Sequence, residues 1–282
     1  MKHLLIVLLC AFALVAKSQN QFSCCNTTAT QQFAFMAADP DFKALHDAPG
    51  DYRYNEDLGK MITYKTPDGK TANAFEILTP YKTDHYLFIF HEWWGLNDYI
   101  KKEAARYFKE LKSVNVIAID LYDGQLATTQ EEAAKLMQGV KDDRARAIID
   151  GAIKYVGKQA NIGTLGWCFG GGWSMQATLM AGKQAAGCVI FYGMPETNLD
   201  KLITLKTEVL GIFATQDQHI SPAVVEEFKE LMDVADKKLT LYNYDAVHAF
   251  ANPSNPKHDA VAAADAFAKA KKFLDKQFYK KE

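Results

Sequence analysis

Cysteine is scarce in this 282-residue chain, with five residues in all. A fold of this size cannot be stapled by so few, so it must rest on a buried apolar core. Proline is scarce too, at eight residues, and no repeat or linker divides positions 61 to 282. An excess of one charge is also missing: 32 Lys and Arg stand against 34 Asp and Glu, for a formal net charge of −2. With the two signs mixed throughout and no basic stripe, nucleic acid is excluded as the expected partner. What is present is 49% hydrophobic residues, 12% of the chain aromatic. That composition builds a sizeable core and excludes a disordered or low-complexity protein.

The N-terminus reads as an address. Lys2 supplies a positive start and Leu4 to Ala16 is an unbroken apolar run of thirteen residues. A membrane-spanning helix needs about 17 to 25, so the run has the length of a signal-peptide core rather than an anchor. Ala16-Lys17-Ser18 places small residues three and one positions before a cut ahead of Gln19. Leu9, before Cys10, stands where lipidation wants a small residue. Positions 1–18 are therefore expected to be a signal peptide. The mature chain should be exported, periplasmic or secreted, with no stable membrane span. Positions 19–60, which carry the adjacent pair Cys24-Cys25, read as an extension with no sustained period.

From Met61 the texture becomes regular. Alternating or apolar runs predict strands at 61–65, 72–78, 86–90, 114–121, 162–167, 187–191, 209–214 and 239–242. Helical spacing falls between the later ones, at 98–111, 130–139, 142–156, 172–180 and 222–235, and again at 259–278. Strands alternating with helices predict an α/β fold, its mostly parallel sheet covered by helices on both faces, over positions 61–282 as one domain.

The chemistry concentrates at strand ends. Ile162 to Trp167 runs into Gly166-Trp167-Cys168-Phe169-Gly170-Gly171-Gly172, a strand, a tight turn and a helix. A nucleophile at such an elbow needs small neighbours, and the helix N-terminus favours a thiolate there. The full dinucleotide fingerprint is absent and no Gly-Lys-Ser/Thr follows, which weakens the phosphate-loop alternative. No Cys-x-x-Cys is present, which weakens a thiol redox role.

A thiol nucleophile needs a base and an acid to orient it. Asp217 ends the apolar run 209–214, and His248 sits in a short loop after 239–242. Cys168, Asp217 and His248 thus each fall just past a strand, where open α/β sheets place their sites. Rivals exist in His219, His258 and, as the acid, Asp245, only three residues before His248. Cys188 reads as core packing. The loop His91-Glu92-Trp93-Trp94 follows strand 86–90. It should supply one oxyanion donor, the Trp93 N–H, with the Phe169 N–H as the other. A metal reading of the adjacent His91 and Glu92 lacks a supporting ligand cluster, and the chemistry calls for neither a metal nor an organic cofactor.

Over roughly Met61 to Phe278 the chain resembles the dienelactone hydrolase family of α/β hydrolases. The resemblance rests on the Glu92 loop, Gly166-Trp167-Cys168-Phe169-Gly170-Gly171, Asp217 and His248-Ala249-Phe250. It implies an α/β-hydrolase fold and a Cys168-His248-Asp217 triad that cleaves an ester or lactone through an acyl-thioester. It also implies that Glu92 pairs with the thiol and helps activate it. Gly124 and Asn252 stand where family members that cleave dienelactone carry substrate-binding arginines. The expected substrate is therefore a neutral or larger small-molecule ester or lactone, bound near Trp93, Trp94 and Tyr122. The other functional class is a binding protein of low activity on the same fold.

Overall fold

The computed structural model describes residues 29–280. Positions 1–18, read from the sequence as a signal peptide, and the Cys24-Cys25 pair lie outside the described residues. Eight strands form one sheet: β1 (Lys60–Lys65), β2 (Thr71–Ile77), β3 (His85–Phe90), β4 (Asn115–Ile119), β5 (Asn161–Trp167), β6 (Ala185–Phe191), β7 (Val209–Ala214) and β8 (Leu239–Tyr244). Their spatial order is β1-β2-β4-β3-β5-β6-β7-β8. From β4 to β8 every pairing is parallel, while β1–β2 and β2–β4 are antiparallel. The first hairpin closes at Pro67-Asp68-Gly69, where Gly69 takes φ +80°, a conformation that glycine adopts at little cost.

The central strands β4 and β7 are buried at every position. That is why they read as continuous apolar runs: a parallel sheet is covered on both faces and leaves no polar side to alternate with. Edge strand β8 is half-buried along its length. The helices that follow are α1 (Ala29–Ala38), α2 (Pro40–Ala44), α3 (Asp98–Glu110), α4 (Gln130–Gly139), α5 (Asp142–Val156), α6 (Phe169–Ala181), α7 (Leu199–Ile203), α8 (Pro222–Val234) and α9 (Ala260–Phe278). Side-chain caps start several of them, Asn97 on α3, Thr129 on α4 and Asp259 on α9. Among the described residues no helix is long and apolar enough to cross a membrane.

Two departures from the sequence reading shape the site. Helix α6 begins at Phe169, directly after the elbow, and its first turn includes Gly170, Gly171 and Gly172. Propensity disfavours three glycines in a helix, but here packing overrides it. A Cβ at Gly170 would come 2.3 Å from the Phe90 carbonyl oxygen, and one at Gly172 would come 2.5 Å from the Phe33 ring. The second departure is the segment before β1, read from sequence as a pattern-free extension. Residues 29–44 fold into α1 and α2, and Phe33, Met36, Ala37 and Phe42 join the main core. Helix α1 packs against α4 and α6.

Candidate active site

Strands β3, β5, β7 and β8 end on one side of the molecule, and the candidate residues sit just past those ends. Cys168 occupies the turn from β5 into α6 with φ 53° and ψ −118°. That is a strained conformation for a residue with a side chain, at a cost of about 1–3 kcal/mol. It persists because the surroundings over-determine it. The Cys168 N–H donates to the Phe191 carbonyl at 2.9 Å, and the Cys168 carbonyl accepts from Gly171 N–H at 2.9 Å. A Cβ at Gly166 would meet the Gly170 carbonyl at 2.1 Å, so the strand can approach the helix only as glycine against glycine.

Asp217 and His248 come together beside this turn. His248 Nδ1–H donates to Asp217 Oδ2 at 2.5 Å, with both side chains fully buried. The other carboxylate oxygen accepts the N–H groups of His219 and Ile220, each at 2.9 Å. Burial disfavours the Asp217 charge, but His248 and these two N–H donors outweigh it and hold the carboxyl below its usual value. Burial likewise works against a charged His248, and Asp217 then Cys168 overturn that, raising the imidazole well above its ordinary range. Burial pushes the Cys168 thiol up, opposed first by His248. With Nδ1 committed to Asp217, His248 Nε2 is left without a partner and lies within 4.8 Å of the Cys168 sulfur.

The rivals fall elsewhere. Asp245 accepts from Gln216 Nε2 at 2.9 Å on the exposed side. His219 lies 3.8 Å from Asp39, and His258 Nδ1–H donates to the Phe250 carbonyl at 2.9 Å. Cys188 is buried 3.6 Å from Ser174 Oγ.

The β3 loop supplies the remaining wall. His91 Nε2 accepts the Leu121 N–H at 3.1 Å, so its Nδ1 carries the hydrogen and donates to the Glu92 carbonyl at 2.6 Å. Both ring nitrogens are spent on structure. The Glu92 carboxyl turns to Asn252 Nδ2 and to the Tyr192 hydroxyl, both donors. Burial is the largest influence on it and lifts its pKa to about 7, although His248, Tyr192 and Asn252 pull the other way. Asn252, noted in the sequence only as a missing arginine, is therefore the clamp on Glu92. Gly124, the other missing arginine, has φ +90° in the turn after β4, and its N–H is held by Asp120; a side chain is disfavoured there by the backbone itself.

Trp93 is fully buried three residues past the end of β3, its ring against Phe42, His46 and Trp94. Tyr122 is buried with its ring 5.6 Å from Phe169, and its hydroxyl has no partner. Trp94 and Glu92 line a narrow surface cleft, together with Tyr99, Trp167 and Asn252.

A roof covers the thiol. Phe42 on α2 packs edge-on to Trp93 at 5.5 Å and lies 5.7 Å from His248. His46 packs 4.6 Å from Trp93 and 5.2 Å from His248. The segment is anchored by Gln130 Nε2 on the His46 carbonyl, 2.7 Å, and by Asn255 Nδ2 on the Leu45 carbonyl, 3.2 Å. Cys168 has no exposed surface beneath it. Nothing local in the sequence marks His46 or Tyr192 as site residues. The one trace is that Tyr192 follows a buried strand, where its φ is +35°.

Residues 77–278 match the family model described as the dienelactone hydrolase family. The chain belongs to this family. Within it, the chain is similar to a Saccharolobus solfataricus protein assigned as a carboxymethylenebutenolidase, 26% identical over 257 residues, covering 77% of this chain and 98% of the relative. Among solved structures it is similar to a dienelactone hydrolase-like promiscuous phosphotriesterase from metagenomic libraries, with a TM-score of 0.67, 18% identity, 78% of this chain and 99% of the other. A Pyrococcus furiosus esterase aligns with a TM-score of 0.61 and 15% identity over 82% of this chain and 99% of its own. At such identities the structural likenesses show the fold, which is the family's α/β-hydrolase architecture.

The position of Glu92 gives a testable pH dependence. Its folded pKa, about 7, lies above the ordinary 4.5. Its contribution to stability is thus fully present below pH 4.5 and is lost as pH rises through 7. The stability advantage of wild type over Glu92→Gln should accordingly shrink by about 3 kcal/mol between pH 4 and pH 8. Urea melts of both proteins across that range measure it, and parallel curves would show that the carboxyl does not titrate there.

Proposed function

We propose that the protein hydrolyses carboxylic esters or lactones with Cys168 as nucleophile, His248 as base and acid, and Asp217 orienting His248. The observation that carries this reading is the buried Asp217–His248 pair, whose free Nε2 faces a cysteine held at a strained strand-to-helix turn. Family membership sets the reaction class, and the carboxymethylenebutenolidase relatives support it.

In the mechanism, His248 Nε2 takes the thiol proton and the sulfur adds to the substrate carbonyl. The Trp93 and Phe169 amides hold the resulting oxyanion, an interaction each of whose donors is worth about 10²–10³ in rate. His248 returns the proton to the departing alkoxide, leaving an acyl-thioester. Water, deprotonated by His248, then attacks the thioester and releases acid and thiol. Asp217 matters at the moments when His248 is cationic. Glu92, carrying negative charge beside the sulfur, raises the thiol pKa, so its state at neutral pH tunes how readily the proton leaves.

The substrate class follows from what lines the approach. Trp94, Tyr99 and Trp167 offer aromatic faces in the cleft, and Asn252 and Gly124 offer no cation for a substrate carboxylate. A neutral, partly apolar ester fits this better than dienelactone itself. Because Cys168 is fully buried, the acyl group reaches it only when the Glu92–Asn252 clamp or the roof of residues 29–46 gives way. The direct test is steady-state hydrolysis of p-nitrophenyl acetate, with mass analysis of acid-quenched protein. An acetyl group on Cys168 is expected; turnover with the acyl group on another residue, or no turnover with any neutral ester, would refute the assignment.

The same reading takes residues 1–18 as an export signal, which the thirteen-residue apolar run and Ala16-Lys17-Ser18 support. Intact mass of protein recovered from the exported fraction should place the mature N-terminus near Gln19. A retained Met1 would overturn it.

A further inference from the structure

The proposed hydrolysis uses one histidine, yet two point at the sulfur. His46, 2% exposed, is carried over the pocket by the roof segment and has no part in the acyl-transfer steps. Its Nδ1 faces the Phe42 carbonyl at 2.7 Å and so bears the hydrogen. Its Nε2 is buried and unpartnered, as is Nε2 of His248. Ligand atoms of His46, His248 and Cys168 all lie within 4.8 Å of one another. Two imidazoles and a thiol thus stand together inside the protein, all three buried.

We propose that His46, Cys168 and His248 form a three-ligand site for a zinc-class divalent cation, and that the bound cation shuts off hydrolysis by occupying nucleophile and base together.

Several independent features agree with this. A nitrogen–nitrogen–sulfur donor set selects zinc or a similar soft cation over magnesium or calcium, which want oxygen. Metal-bound histidines typically give their other ring N–H to a carboxylate or a backbone carbonyl, which fixes tautomer and orientation. Both arrangements are already built here, to Asp217 for His248 and to the Phe42 carbonyl for His46. The rings of Phe42 and Trp93 pack on His46 at 4.3 and 4.6 Å and fix its plane. On a tetrahedral zinc the ligand atoms stand roughly 3.3–3.7 Å apart, from bonds of about 2.0–2.3 Å. Closing from 4.8 Å is a contraction of about 1 Å, to be taken up by the non-helical segment between α2 and β1 that carries His46.

Binding is an acid–base event only: the Cys168 thiol loses its proton to solvent, His248 gives up any proton it holds, and no electron is transferred. The metal-binding half of the proposal stands on geometry. The inhibition half rests on the hydrolase reading above.

The experiment is a titration of metal-stripped protein with cobalt(II) alone, followed by p-nitrophenyl acetate hydrolysis with and without zinc. One equivalent of cobalt should raise a thiolate-to-metal charge-transfer band with tetrahedral visible bands, absent in Cys168→Ala. In His46→Ala the cobalt affinity should fall about 100-fold, with thermal melting used to confirm that the variant is folded. His46→Gln, which fills a similar volume, serves if the alanine variant is not. Each variant's metal-free rate is its own reference, and zinc at a concentration that halts wild type should leave the His46 variants' rates unchanged. A stripped protein that hydrolyses the ester but shows no thiolate–cobalt band, or binds cobalt equally without His46, overturns the site and leaves the hydrolase standing. Cobalt binding without any esterase activity leaves the site standing and removes the hydrolase reading with the inhibition.

Discussion

Replacing Cys168 by alanine should lower kcat/KM for a small activated ester by about 10⁴-fold or more while moving the melting temperature by only a few degrees. The rate loss follows from chemistry. Without sulfur there is no acyl-enzyme, and what survives is water attack aided by the oxyanion donors, which in comparable nucleophile deletions leaves only a small residue of the rate. The stability effect is small because one buried heavy atom is removed from a residue whose Cβ, φ 53° and backbone hydrogen bonds are unchanged. A loss of about 1 kcal/mol shifts the transition by roughly 2–4 °C at this size. Cys188→Ala is the matching control. That thiol is buried within β6 beside Ser174, level with Thr164 and below the strand ends that carry the site, and its removal should leave the rate within a few-fold. Equal rates for Cys168→Ala and wild type would show that the elbow cysteine is a packing residue.

Asp217→Asn should cost about 10⁴-fold in kcat, against a few-fold at most for Asp245→Asn. The amide keeps an oxygen that can accept from the His219 and Ile220 N–H groups, so the turn survives. What it presents to His248 Nδ1 is an NH₂ donor. The imidazole must then move its hydrogen to Nε2, and the lone pair that takes the thiol proton disappears. Asp245, exposed and bonded to Gln216 and Thr215, has no route to the imidazole. The reverse ranking would move the acid to position 245. Stability carries a second signature. The Asp217 carboxyl titrates below its ordinary value of 3.8, so its contribution is present above pH 4 and is lost as pH falls through the folded pKa. The deficit of Asp217→Asn should be full at pH 7 and vanish in acid.

The parts of this site that are legible in sequence are those set by local rules. Val209 to Ala214 is buried on both faces, and a buried parallel strand must read as an apolar run. Cys168 between Gly166 and Gly170 is legible because the elbow leaves no room for a Cβ on either side. Asp217 and His248 are legible because they follow strand ends. The rest depends on distant partners. Gly170 to Gly172 read as a turn, since their helical state is set by the Phe90 carbonyl and the Phe33 ring rather than by propensity. The edge order β1-β2-β4-β3 leaves no local trace. Phe33, Met36 and Phe42 show no period of their own because they fit a socket made by α4, α6 and the β3 loop. His46 is an ordinary histidine until that socket places it over the sulfur.

The seat of that segment also sets the order in which the molecule can be completed. Leu45 is held by Asn255 across 210 residues of chain, and Phe42 and His46 rest against His248 and Trp93. The partners of residues 29–46 are spread along the chain, Trp93 and Gln130 ahead of the elbow and His248 and Asn255 well after it. The stretch made first is therefore among the last that can be seated, since contacts so far apart in sequence wait for the intervening sheet to form. The roof over Cys168 is therefore complete only when β8 and the loop carrying His248 and Asn255 are in place.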